Sequence, residues 1–185
     1  MHEKRATFFA LFAVLLWSTV ATAFKFALNY MSPAQLLLIA SGSSVVILGL
    51  LLWWQKKLNL LFSLTKQQRL RMVLLGFINP FVYYLVLFEA YALLPAQEAQ
   101  PLNYTWALML TYLSVLILKQ RLSWQDIVAG LICYSGVLVI STRGAIWDLE
   151  FSNPVGVILA LCSTILWALF WIYNTKWAVE PILGL

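Results

Sequence analysis

Six apolar runs, each long enough to cross a bilayer, constrain this chain more than any other feature. A bilayer core about 30 Å thick needs roughly 20 helical residues. Hydrophobic residues make up 63% of the chain and charged residues 10%, whereas a soluble domain needs far more charge on its surface. The sequence therefore predicts an all-α polytopic membrane protein in contact with the lipid bilayer. The expected spans, numbered 1 to 6, are residues 6–28, 33–54, 70–94, 97–118, 124–142 and 154–175.

The positive charges lie at the ends of these spans and favour one side. Cations concentrate in the N-terminal pair Lys4 and Arg5, in the segment 55–71 and in the turn with Lys119 and Arg121. The positive-inside rule predicts a cytoplasmic N-terminus, and we expect a multi-pass protein of the cell inner membrane. The opposite connection, 143–153, has Arg143 as its one cation, in the same segment as the acidic residues Asp148 and Glu150. Because the net charge of +5 comes from span ends, no nucleic-acid partner is expected.

A short segment of span 1 recurs in span 6. Ala10-Leu11 and Leu16-Trp17 return as Ala160-Leu161 and Leu166-Trp167. A shift of five spans inverts the second copy relative to the first, which is the construction of many secondary transporters. The sequence thus predicts a five-helix repeat in residues 1–145 and the first helix of an inverted second repeat in 146–185.

Polar residues form stripes on spans 1 and 4 at steps of three and four. In lipid these faces must look inward, where they either line a water-accessible cavity or hydrogen-bond to neighbouring helices. Residues 21–23 (Ala-Thr-Ala) resemble the small-residue cleavage site of a secretory signal peptide. We do not expect cleavage, because the polar stripe of span 1 begins before this site and continues past it. The stripe residues are Ser18, Thr22, Lys25 and Asn29 on span 1, and Gln97, Gln100, Tyr104, Thr111 and Ser114 on span 4.

Charged residues inside the spans are few. Lys25 and Glu89 both fall in the outer third of the bilayer, where they either pair or reach toward the interface. Glu98 is expected at the mouth of span 4, within reach of water. The resulting candidates for an intramembrane polar network are Ser18, Thr22, Lys25, Glu89 and Gln100.

Aromatic residues with polar edges gather near the middle of four spans. Asn79-Pro80 predicts a kink in span 3 just before Tyr83 and Tyr84. Span 4 contributes Tyr104 and Trp106, although these positions are roughly 200° apart on an ideal helix, so a distortion by Pro101 is needed for both to face one space. Trp17 and Trp167 lie near the middle of spans 1 and 6. A substrate site and plain core packing are both consistent with this pattern.

Small residues in span 2, at 40–44, and in span 5, at Ala129, Cys133 and Gly136, predict close helix contacts or a dimer face.

The sequence gives little indication of catalytic or metal chemistry. The single histidine is His2, Cys133 and Cys162 lie inside apolar spans, and no metal-ligand spacing is present. We therefore expect no metal site, no cofactor and no enzymatic activity.

Several segments together resemble EamA-type members of the drug/metabolite transporter superfamily. Residues 119–130 (KQRLSWQDIVAG), continuing to 135–137 (SGV), resemble the turn and fifth helix of these proteins. Ala96 and Ala99, ahead of the run 102–106 (LNYTW), and Leu16-Trp17 in the first helix follow the family in order and spacing.

The resemblance implies a ten-helix fold of two inverted five-helix repeats, cytoplasmic termini, and export of small metabolites by alternating access. Within the family the chain is most similar to amino-acid exporters with an aromatic central cavity, so amino acids are the expected substrates. Carried over by motif, the substrate-binding positions are Tyr83, Tyr84, Tyr104, Trp106 and Trp167.

Six of the family's ten helices are present, so a missing second half or an oligomer is expected. The alternative function is a non-transporting membrane scaffold or an inactive transporter fragment.

Overall fold

The computed structural model describes residues 2–59, 63–147 and 152–177. Every regular element in these residues is helical, and six stretches are long and apolar enough to cross a membrane. The prediction of an all-α, six-span protein is confirmed. The side chains of Lys4 and Arg5, and residues Asp148 and Glu150, lie outside the described part. The spans are Ala6–Leu28, Pro33–Trp54, Lys66–Leu93, Ala96–Leu118, Trp124–Ser141 and Pro154–Lys176.

Spans 2, 3 and 5 begin where side chains cap their first turns. In each, a hydroxyl oxygen accepts from the amide of the third helical residue, whose side chain accepts from the capping residue's amide. Such boxes satisfy backbone groups that lipid leaves without partners. Span 3 starts before the predicted residue 70 because its box lies ahead of the apolar run. The pairs are Ser32 with Gln35, Thr65 with Gln68, and Ser123 with Asp126.

Contacts at the span ends show that the spans alternate in direction. At one end of the bundle the Lys25 ammonium, late in span 1, donates to the Leu94 carbonyl after span 3 at 3.0 Å. Leu94 also lies against Gly156, where span 6 begins. At the opposite end Arg71, early in span 3, lies 5.9 Å from the ring of Trp177, which follows span 6. Spans 1 and 6 therefore run in opposite directions. We name the two ends the Lys25 end and the Arg71 end.

Span 6 lies in the middle of the bundle, packed against spans 3 and 4. Its buried positions carry small residues, among them Ala160, Ser163 and Ala168. Ala90 of span 3 and Ala99 of span 4 are fully buried in the same core. Small side chains let helix backbones approach closely, which is the main source of helix association in lipid. Spans 1 and 2 leave most of their large apolar side chains on the outside, as a surface facing lipid does.

The close contacts between helices at glycine residues do not lie where the pattern of small residues predicts them. A Cβ placed on Gly42 or Gly136 would meet no neighbouring atom within 4 Å, so these two glycines do not make the predicted close contact within the chain. A Cβ on Gly156 would instead lie 2.7 Å from the Cγ of Leu94. Gly156 is the point at which the start of span 6 meets the end of span 3.

Replacing Gly156 with alanine should destabilise the protein by about 1–3 kcal/mol, because the added methyl group forces Leu94 out of place. The measurement is the thermal unfolding midpoint of the purified full chain in detergent. Gly42→Ala is the matched control, since its methyl group enters open space and alanine favours helix by about 0.5–1 kcal/mol. Equal midpoints for the two variants would contradict the close contact at Gly156.

Candidate functional site

A cavity of about 190 Å³ lies among spans 1, 3, 4 and 6. We name it the aromatic cavity. Trp17 of span 1 and Gln100 of span 4 also belong to its wall. The structure brings together all five residues carried over as substrate-binding positions, and their role in binding stays a prediction. These five wall residues are Tyr83, Tyr84, Tyr104, Trp106 and Trp167.

Tyr83 and Tyr84 reach the cavity because span 3 changes course just before them. Asn79 has an extended backbone (φ −142°, ψ 118°), and Phe77–Val82 forms a wide π-helical turn around Pro80. The kink predicted at Asn79-Pro80 is confirmed. Since proline has no amide hydrogen to donate, the regular ladder cannot pass through it. Regular helix resumes at Tyr83, whose ring centroid lies 4.7 Å from that of Trp167.

Tyr104 and Trp106 both reach the cavity because span 4 is interrupted between them. One helix ends at Tyr104 and the next begins at Trp106, so the interruption lies at Thr105 rather than at Pro101, where distortion was expected. The amide and the hydroxyl of Thr105 both donate to the Leu102 carbonyl, at 3.2 and 2.8 Å. This tighter turn changes the angle between successive side chains and lets both rings line one space.

Asn103 forms a buried link among three spans, which sequence reasoning missed. Its Nδ2 atom donates to Ser163 Oγ of span 6 at 3.0 Å and to Tyr83 Oη of span 3 at 3.3 Å. Ser163 donates in turn to the Ala160 carbonyl at 2.6 Å. These buried polar groups are tolerated because they satisfy one another. The available signal was spacing, since Asn103 follows Gln100 by one helical turn.

The indole nitrogen of Trp167 is a buried donor with no hydrogen-bond partner among the described residues. The Trp167 ring lies between those of Tyr83 and Trp106, at centroid distances of 4.7 and 6.1 Å. Buried N–H groups in proteins are normally paired. This N–H group is therefore an exception, and it lies in the core rather than on the open surface of the cavity.

The wall of the aromatic cavity is uncharged and mostly aromatic. Within the described residues its wall carries aromatic rings, aliphatic groups and the two amides of Gln100 and Asn103, with no formal charge. In the same part of the chain no group of three or more His, Cys, Asp or Glu side chains could hold a metal ion. The arrangement can hold a small uncharged or zwitterionic molecule by ring contacts and hydrogen bonds.

Residues 4–142 match the EamA-like transporter family. The chain belongs to this family. It is also similar to a protein of Acidianus ambivalens described as an uncharacterized transporter in the sor 3′ region. The two are 34% identical over 91 residues, which are 48% of this chain and 34% of that protein. The chain thus spans about a third of the length of this curated relative. No solved structure shows significant similarity.

Membership of the EamA-like family, together with six apolar helices, makes the chain a multi-pass membrane protein of a transporter family. The coarse functional prediction from the resemblance is confirmed at this level. The structure of this EamA-like chain places the residues of the predicted polar network in different surroundings.

Ser18 and Thr22 face open space beside the aromatic cavity, and Gln100 lines both that space and the cavity. Thr22 and Gln100 line a groove of about 650 Å³ between spans 1, 4 and 5, which we name the lateral groove. Ser18 lines a smaller hollow that also includes Gln100 and Tyr104, and its hydroxyl donates back to the Leu15 carbonyl at 2.7 Å. The polar stripe of span 1 therefore faces cavities at these two positions.

The structure does not pair Lys25 with Glu89. The Lys25 ammonium donates to the carbonyls of Tyr91, Ala92 and Leu94 at 2.7, 3.3 and 3.0 Å. The last carbonyls of a helix have no helical partner, and the helix dipole favours a cation there. Glu89 is exposed on the same helix and forms no ion pair within the described residues. Lys25 thus links span 1 to the end of span 3 by hydrogen bonds.

Glu98 is buried, although its position at a span mouth predicted access to water. Its side chain is 5% exposed, and Oε1 accepts from Arg143 Nε at 2.8 Å. Ser152 Oγ donates to Oε2. A buried carboxylate is tolerated when its oxygens are paired in this way. Since Arg143 follows span 5 and Ser152 precedes span 6, Glu98 fastens both ends of that connection to the first turn of span 4.

Lys25→Met should lower the free energy of unfolding by about 1.5–3 kcal/mol, because three carbonyls lose a charged donor. Lys25→Arg, which keeps donor and charge, should lose less. Thermal unfolding of the full chain in detergent measures both. The double charge exchange of Lys25→Glu with Glu89→Lys should not recover the stability lost in Lys25→Glu alone. Recovery would show that the two residues do pair.

Proposed function

We propose that this chain forms the substrate site of a secondary transporter that exports amino acids or related small metabolites by alternating access. The observation that carries the proposal is the convergence of five aromatic residues from spans 3, 4 and 6 on one cavity. They lie near the middle of their spans, the depth at which secondary transporters bind substrates. Family membership supports transport, and the cavity wall supports the class of substrate.

The wall chemistry favours a molecule without net charge. A net charge brought into this uncharged wall would lose its hydration without a counter-ion. An amino-acid zwitterion fits better, since it carries no net charge and aromatic faces attract its ammonium group. A volume of about 190 Å³ corresponds to roughly six waters at ~30 Å³ each, enough for an amino acid of moderate size.

Two helix interruptions support the alternating-access mechanism. Span 3 is broken at Phe77–Val82 and span 4 tightens by a single turn at Thr105, each directly beside aromatic residues of the cavity wall. Discontinuous helices at the binding depth are typical of secondary transporters. Bending at these points would change which end of the bundle reaches the cavity.

We further propose how the chain is oriented in the membrane and what completes its transport pathway. The Arg71 end has Lys56, Lys57, Lys66, Arg69, Arg71, Lys119 and Arg121 at or near its span ends, which supports a cytoplasmic location in the cell inner membrane. Export then runs from the Arg71 end to the Lys25 end. Because transporter sites of this kind lie between two inverted halves, we propose that a second half or another copy completes the pathway.

Tyr104→Ala and Trp106→Ala should each reduce export about three- to tenfold, since an aromatic contact contributes about 0.5–1.5 kcal/mol. The measurement is efflux of radiolabelled L-alanine and L-tryptophan from cells that express the full-length protein, normalised to its abundance in the membrane. Trp54→Ala is the matched control, because Trp54 is exposed at the end of span 2 and lies outside the cavity wall.

If the abundance of the protein falls in parallel with export, Tyr104 and Trp106 contribute to packing rather than to substrate binding. A wild-type protein that reaches the membrane but moves neither amino acid would contradict the proposal and favour the scaffold function.

The proposed orientation predicts opposite labelling of two exposed positions. In a background with both native cysteines replaced by serine, Trp147→Cys near the Lys25 end should react with a membrane-impermeant maleimide in intact cells. Gln55→Cys, in the connection at the Arg71 end, should react only after permeabilisation. The reverse pattern would place the N-terminus outside the cytoplasm.

A further inference from the structure

The lateral groove borders the aromatic cavity over a shared wall. Ala21, Gln100 and Tyr104 line both spaces. The groove extends along span 4 from Ala96, at the Lys25 end, to Leu108, a distance of roughly 18 Å at 1.5 Å per residue. It therefore connects the Lys25 end of the bundle with the depth of the aromatic cavity.

A hydrogen-bonded side-chain pair stands between the two spaces. Gln100 Nε2 donates to Tyr104 Oη at 2.9 Å, one helical turn along the same span. Tyr104 is 46% exposed, so its ring is not held by core packing on every side. Rotation of these two side chains would join the spaces without moving a helix, because side-chain rotations need no change of backbone.

The sizes of the two spaces differ in a way that bears on the substrate. The aromatic cavity holds about 190 Å³ and the lateral groove about 650 Å³. An indole side chain attached to a zwitterion exceeds the roughly six water volumes of the smaller space. In the described residues the groove wall combines apolar side chains with the uncharged groups of Thr22, Gln97 and Thr105, which suits an apolar or aromatic side chain.

We propose that the lateral groove is the vestibule of the aromatic cavity, and that it holds the side chains of amino acids too large for the cavity alone. Gln100 and Tyr104 form the partition that such a substrate displaces. The proposal rests on the function proposed above and adds a second subsite to it. Leu108 and Cys133 line the groove but not the aromatic cavity, so they test the vestibule separately.

Leu108→Trp should narrow the groove and raise the KM for L-tryptophan about tenfold more than the KM for L-alanine, as expected for steric loss in an apolar pocket. Leu116→Trp is the matched control, because Leu116 lies on the same span, is 75% exposed and lines no cavity described here. It should leave the ratio of the two KM values unchanged. Transport by the full-length protein in proteoliposomes is the measurement.

Cys133 supplies a second measurement that does not depend on a bulky variant. In a Cys162→Ser background the rate of Cys133 alkylation by N-ethylmaleimide reports access to the groove. L-Tryptophan at about ten times its Kd should slow this rate about tenfold through occupancy. L-Alanine at the same saturation should slow it far less, because its methyl group stays in the aromatic cavity.

The outcomes separate the two proposals. A wild-type protein that transports neither amino acid overturns the proposed function. Transport of both with an unchanged KM ratio in Leu108→Trp overturns the vestibule alone. If Leu108→Trp does not fold, equal protection of Cys133 by both amino acids, or by neither, overturns it instead. Protection by neither amino acid is also the result expected if a lipid chain fills the groove.

Discussion

The hydrogen bonds of Asn103 are the interaction on which the aromatic cavity depends. From span 4 this side chain donates to Tyr83 of span 3 and Ser163 of span 6, the three spans that supply the five aromatic residues. Apolar packing alone gives helices in lipid little rotational preference, since lipid tails are as apolar as leucine. Directional hydrogen bonds define the rotation of each helix and hence which rings face the cavity. The amide of Asn103 thus links the three spans whose aromatic residues line the cavity.

The need to pair backbone hydrogen-bonding groups limits where the spans can be interrupted. In a bilayer every backbone amide and carbonyl needs a partner, so irregular backbone is tolerated only against protein or a cavity. Both interruptions obey this rule. The π-helical turn at Phe77–Val82 leads directly to the cavity residue Tyr83, and Thr105 satisfies its own turn through its amide and hydroxyl. The positions where regular structure fails are therefore the positions next to the candidate site.

Sequence reasoning worked where the physics is local and failed where it depends on distant partners. Hydropathy over a window of about 20 residues defines a span, and the predicted bounds agree with the structure to within a few residues. The aromatic residues were found through a short motif. The partner of Lys25, in contrast, lies 66 residues away at the Tyr91 carbonyl, and Glu98 meets Arg143 over 45 residues. Periodicity identifies the face of a helix, but not what that face meets.

By itself the sequence determined the number of spans, their alternating directions and the side on which the cations gather, because length, hydropathy and charge are properties of single segments. It also contained Asn103 and Ser163, without any sign that they touch. Only the tertiary structure decided that Glu98 is buried, that Lys25 binds helix-terminal carbonyls, and that Gln100 and Tyr104 separate a small aromatic cavity from a larger groove. Those outcomes depend on which helix faces which, and that is set by packing among all six spans together.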